Sequence, residues 1–146
     1  MSNVRFTVKD NSNENSTVKL PVSDAITDAN ITVLRNAVAG VMIGTVGQTY
    51  LDLSTAKDAG SAALPASPFA QRETKWLCSY VDNITGEAHR KEFPTANLAI
   101  IVPGTQAMDL TTGTGLTFKN AFDAHVVSAD GNAVTLQGAI HVGRNL

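Results

Sequence analysis

Hydrophobic and polar positions alternate most clearly over residues 73–93, where Trp76, Cys78 and Tyr80 share one side of a period-two strand and Leu77, Ser79 and Val81 the other. With apolar groups on both faces, this strand reads as interior. Asp82, Asn83, Ile84, Thr85 and Gly86 follow as turn formers, and Gly86 suits the positive φ of a type I turn with a bulge. The return strand, 87–93, carries Glu87, Arg90, Lys91 and Glu92. That charge suits a sheet edge with cross-strand pairs, and Pro94 is expected to stop it.

Two further strands open the chain. Val4, Phe6 and Val8 alternate with Arg5, Thr7 and Lys9. After a polar turn over 10–16, residues 17–20 return with Val18 and Leu20 inward, and Pro21 should end them because proline cannot donate to a central ladder. Ile31, Leu34, Val38 and Val41 then recur at helical spacing, with Thr27 or Ser23 as cap and Asp28 in the first turn. The expected end is Gly40 or Gly44. A strand over 45–55 places Thr49, Leu51 and Leu53 on one face, and 57–67, punctuated by Pro65 and followed by Pro68, reads as a long exposed connection.

Residues 95–102 fit either a single helical turn capped by Thr95 or a short buried strand. Phe118, Ala121, Phe122, His125 and Val126 trace a second helical face, giving a helix over about 116–128. Asp130, Gly131 and Asn132 turn the chain into a last strand, 133–142. There Val134, Leu136, Ile140 and Val142 alternate against Thr135, Gln137 and His141, with Gly138 marking a bulge or a close backbone approach. The pattern predicts one α+β domain over 1–146: a predominantly antiparallel sheet or sandwich of about five or six strands with two helices packed on it. Its expected core is Trp76, Tyr80, Leu51, Ile31, Leu34, Phe118, Phe122 and Leu136.

Composition changes this picture in one respect. The chain is 43% hydrophobic and 16% charged, where soluble domains carry roughly 25% charge, so some surface is expected to be covered by partners. From Pro94 to Phe118 only Asp109 is charged, and an uncharged loop there suggests a covered loop. A net charge of −2 with scattered Lys and Arg gives no basic stripe for phosphates, which argues against direct, sequence-specific nucleic-acid binding. Neither a leader nor a membrane-spanning run is read at the N-terminus or elsewhere, so synthesis in a host cytoplasm is expected and no membrane partner. On that reading the three Asn-X-Ser/Thr sequons at Asn15, Asn30 and Asn83 are coincidental.

The residues that carry chemistry are dispersed. His89, His125 and His141 fall on three predicted elements without zinc-ligand spacing, and the single cysteine, Cys78, sits mid-strand as a small hydrophobe. The competing reading is a small-molecule-binding or thiol enzyme domain in which His89 faces Cys78 across the hairpin. The glycines of GTGLTF, Gly113 and Gly115, lack the lysine of a P-loop and are read as flexible. No catalytic, metal or cofactor residue is therefore assigned, and no cofactor is expected.

The extended opening VRFTVKD, the Ala, Gly and Thr richness of 55–66 and 105–115, and the hairpin KWLCSYVDNITGEAHRKEF together give a chain that resembles the small virion structural proteins of tailed bacteriophages, of the capsid-decoration and tail-tube types. The resemblance implies a non-enzymatic, self-associating protein located in the virion, most simply one that decorates or stabilises a capsid. The alternative is a tail-tube subunit forming stacked rings. A trimer suits decoration and a hexameric ring a tube, with other virion proteins as further partners. The expected interfaces are 11–15, 56–67 and 105–115.

Overall fold

The computed structural model describes residues 2–9, 15–43, 48–53, 61–63, 74–94 and 96–143. The chain is an α+β fold with two antiparallel sheets and two helices. The first sheet is built from β1 (Ser2–Lys9), β2 (Asn15–Val22), β3 (Gln48–Leu53) and β4 (Ser61–Ala63) in the order β2-β1-β3-β4. The second contains β5 (Thr74–Asp82), β6 (Ala88–Pro94) and β7 (Val134–Gly143) in the order β6-β5-β7. Helix α1 (Asp28–Ile43) lies against β1 and β3, helix α2 (Gly113–His125) against β7, and the helices pack on each other. The expected sheet or sandwich of five or six strands is thus seven described strands in two sheets. One core joins them, drawing Val4 and Leu20 from the first sheet, Ile31 and Leu34 from α1, Phe118 and Phe122 from α2, and Trp76 and Leu136 from the second. Of the expected core only Leu51, on β3, has its side chain outside the described part.

Several boundaries move for local reasons. Pro21 does not end β2, which continues to Val22: β2 is an edge strand, where a missing N–H costs no ladder bond, and the Pro21 carbonyl still accepts from Val127 N–H. For the same reason Pro94 is the last residue of the edge strand β6 rather than the residue after it. Helix α1 runs through Gly40 to Ile43, and its first turn is held by Thr27, whose hydroxyl accepts from Asn30 N–H at 3.2 Å. Ser23 instead caps the preceding turn, accepting from Ala25 N–H. Part of the connection expected over 57–67 is β4, which pairs with β3. The rest of it, and the turn over 10–14, lie outside the described residues. Residues 98–100 form a 3-10 turn capped by Asn97, not Thr95: the Asn97 side chain accepts from Ala99 N–H and donates to the Gly40 carbonyl at 2.8 Å.

That last bond belongs to a set. The final four carbonyls of a helix have no partner within it, and among those of α1 the Val41 oxygen receives both Asn97 N–H at 2.9 Å and the Trp76 indole N–H at 2.7 Å. The central strand of the second sheet is tied in this way to the end of a helix.

The β7 bulge has the largest consequence for surface. Ser79 pairs with Gly138 and Tyr80 with Leu136, so Gln137 is the extra residue and the facing of the strand inverts there. Val134 and Leu136 point inward, whereas beyond the bulge Ala139 and His141 are buried and Ile140 and Val142 face out, 52% and 39% exposed. At the irregularity Leu136 N–H donates to Asp123 Oδ1 on α2 at 2.7 Å, and the other oxygen of that carboxylate meets Lys119 at 2.6 Å.

Candidate functional site

The structure disperses the titratable groups further than the sequence suggested. On the inner face of the β5–β6 hairpin His89 lies opposite Tyr80 and stacks on its ring, with centroids 5.5 Å apart, while Lys91 lies opposite Cys78. Cys78 is fully buried, and burial pushes its thiol up to about 12. Burial likewise holds the Lys91 ammonium below its ordinary value, with Lys19 contributing like-charge repulsion. A thiolate–imidazolium pair needs the opposite environment, cationic and partly open. We therefore expect native protein at pH 8 to leave Cys78 unlabelled by a thiol reagent over hours, with stoichiometric labelling after denaturation. Prompt native labelling would revive the enzymatic reading.

His125 ends α2, and His141 sits on β7 with its ring edge-on to Trp76 at 6.2 Å and Nδ1 3.1 Å from Gln106 Oε1. Its Nε2 is buried without a partner. Among the described residues no three His, Cys, Asp or Glu side chains converge as metal ligands.

Among the described residues Asp82 is the best-held carboxylate. It is buried at the end of β5, where Oδ1 accepts Ile84 and Thr85 N–H at 2.8 and 3.0 Å and Oδ2 accepts Ser128 Oγ–H at 2.7 Å and Asn132 Nδ2–H at 3.1 Å. The hairpin turn and the turn before β7 are thereby fastened to each other. The Ser128 hydroxyl first, then the Thr85 amide, with Ile84 and Asn132 after them, hold the carboxyl well below the usual range against the opposing effect of desolvation. A depressed folded value means that its contribution is complete above the unfolded value near pH 4 and is lost as pH falls below it. Stability should thus decline on acidification below about pH 4, and Asp82→Asn should flatten that decline while lowering stability at pH 7. Urea midpoints of both proteins from pH 2 to 7 read this directly. Parallel curves would exclude the role.

The segment 103–117, the loop before α2 and the first turn of that helix, is uncharged apart from Asp109; Met108 and Gly115 in it are buried, but Pro103 to Gln106 and Thr111 to Thr114 are exposed among the described residues. Asp109 is half-buried, its carboxylate accepting Thr111 N–H and Oγ–H at 2.9 and 2.6 Å. Beside this segment, an open groove of about 710 Å³ runs between α1 and α2, lined by Val33, Ala37, Gly40, Thr114 and Leu116 among others and, among the described residues, by no charged side chain. Val33 and Leu116 are 48% and 37% exposed. Neither a family model, nor a curated protein, nor a solved structure matches the chain.

The glycines at the start of α2 gain a different meaning from the one expected. The helix begins at Gly113 rather than near 116, and ends at His125 rather than 128. Gly115 is buried where the Asp109 carbonyl crosses the helix, and a Cβ there would stand 1.7 Å from that oxygen. Packing, not flexibility, requires it.

Proposed function

We propose that this protein is a non-enzymatic structural subunit that associates with itself, and that its setting is a bacteriophage virion, as a capsid-decorating protein. The observation that supports this most is the nearly charge-free surface over 103–117, which continues into the groove between α1 and α2 and is left open by the described residues of the chain. Surface so short of charge is what a subunit interface leaves behind when its partner is removed. The virion setting rests on the resemblance of the chain to small phage structural proteins. The burial and raised value of the Cys78 thiol count against the thiol-enzyme alternative.

Native mass spectrometry and sedimentation at high concentration test the reading. A discrete closed oligomer supports it, a trimer pointing to decoration and a six-fold ring to a tube. A protein that stays monomeric at every concentration and fails to bind assembled capsids defeats it.

A further inference from the structure

The outer face of the second sheet has a register that is complementary to itself. Because β7 inverts at the bulge, the outward residues fall into rows across three strands: Arg90, Ser79 and Gly138 form one row, Glu92, Leu77 and Ile140 the next. The flanking rows are Ala88, Val81 and Thr135 on one side, and Lys75 with Val142 on the other. Arg90, Glu92, Ala88, Ile140 and Val142 are exposed, and Leu77, Ser79 and Val81 partly so. The inner face of the same strands is taken up by the core.

We infer that this face docks on the same face of a second copy, about a two-fold axis lying between the sheets, perpendicular to the strands and passing between the two central rows. That operation reverses strand direction and keeps strand order. It sets Arg90 over Glu92 of the second copy and Glu92 over its Arg90, Leu77 over Ser79, and Ile140 over Gly138. Opposite charges meet on one flank. On the other, Ile140, the more exposed of the two outward apolar side chains of β7, enters the place where Gly138 carries no side chain: leaving its chain neighbours aside, a Cβ there would meet no atom within 4 Å. Val142 falls over Thr135, and Lys75 over Val81. The axis that satisfies the charge pair is the one that satisfies the knob and hole, which is the content of an isologous contact. Glu92 now bonds Lys75 at 2.8 Å with both side chains substantially in water, so sharing it with an arginine costs little.

Seven register positions at ~3.4 Å by three strands at ~4.8 Å give a footprint of roughly 300 Å² per copy, well under the ~800 Å² per partner of a standard interface. This contact alone gives a weak dimer, and larger assemblies gain strength by combining it with others.

The inference rests on the self-association proposed above, and the experiment separates the two. Sedimentation equilibrium is run over a concentration series on the wild type, Ile140→Arg, Arg90→Glu, Glu92→Arg and the double variant Arg90→Glu/Glu92→Arg, with near-UV circular dichroism confirming that each is folded. We expect Ile140→Arg and each single charge reversal to weaken association about tenfold or more. The double reversal should restore it, since the two-fold contact then sets opposite charges over each other again at both places. Association that survives all the variants overturns this face and leaves the self-association reading standing. A wild type that is monomeric throughout overturns both.

Discussion

Replacing Trp76 with alanine should lower the free energy of unfolding by about 3–5 kcal/mol, the range for removing a buried aromatic, against a total of roughly 5–15 kcal/mol for a domain of ordinary stability. Trp76 is fully buried on the central strand β5. Alanine leaves a large void between that strand and α1, removes the edge-on contact with His141, and strips the Val41 carbonyl of its indole donor. Trp76→Phe separates the parts, because it keeps most of the packing and deletes the 2.7 Å hydrogen bond. Its expected cost is about 1–2 kcal/mol, a net hydrogen bond plus a small packing defect. Urea unfolding followed by far-UV circular dichroism measures both, since the variants lose the only tryptophan of the chain. An alanine variant within about 1 kcal/mol of the wild type would show that β5 is not anchored to α1 in this way.

The features visible in the sequence were those whose cause is local. The β5–β6 hairpin could be read because alternation and turn chemistry agree within twenty or so positions: Trp76, Cys78 and Tyr80 are all buried, and Gly86 takes a φ of 74°. Helix α1 could be read because its stripe of Ile31, Leu34, Val38 and Val41 repeats over three turns, and all four are buried. What was misread depends on distant partners. Ser61, Ala62 and Ala63 have little intrinsic strand preference and become β4 only by pairing with β3. Asp82 looked like one more turn residue, yet half its partners, Ser128 and Asn132, lie 46 and 50 positions away. Gly138 signals a bulge, but alternation read straight through it puts Ile140 and Val142 on the face of Leu136, whereas the extra residue Gln137 turns them outward. The groove between α1 and α2 has no local signal at all, since it exists only once the helices are packed.

Gly115→Ala should destabilise the protein by about 2–3 kcal/mol or more, the reverse of what helix preference alone predicts. In an ordinary helix interior, glycine to alanine gains roughly 0.5–1 kcal/mol, because alanine has less backbone entropy to lose. At Gly115 the added Cβ would lie 1.7 Å from the Asp109 carbonyl oxygen and 2.7 Å from its carbon. Both are backbone atoms, so no rotamer change relieves the overlap. The segment itself is fixed, since Asp109 N–H donates to the Ile100 carbonyl at 2.8 Å and Met108 N–H to the Ala139 carbonyl at 2.9 Å. Either the loop lifts from α2 and breaks these bonds, or the helix shifts and opens the contact with α1, and overpacking of this kind costs several times the propensity gain. Two other glycines provide the scale. At Gly40 the Cβ would stand 2.9 Å from the Thr114 methyl, a side-chain atom that can swing away, so Gly40→Ala should cost distinctly less. At Gly138 nothing lies within 4 Å, and Gly138→Ala should stay within about 0.5 kcal/mol of wild type. Urea midpoints in the order Gly138→Ala, Gly40→Ala, Gly115→Ala, from most to least stable, are the expected result. A Gly115→Ala protein as stable as the wild type would mean that the Asp109 carbonyl does not cross the helix at this position.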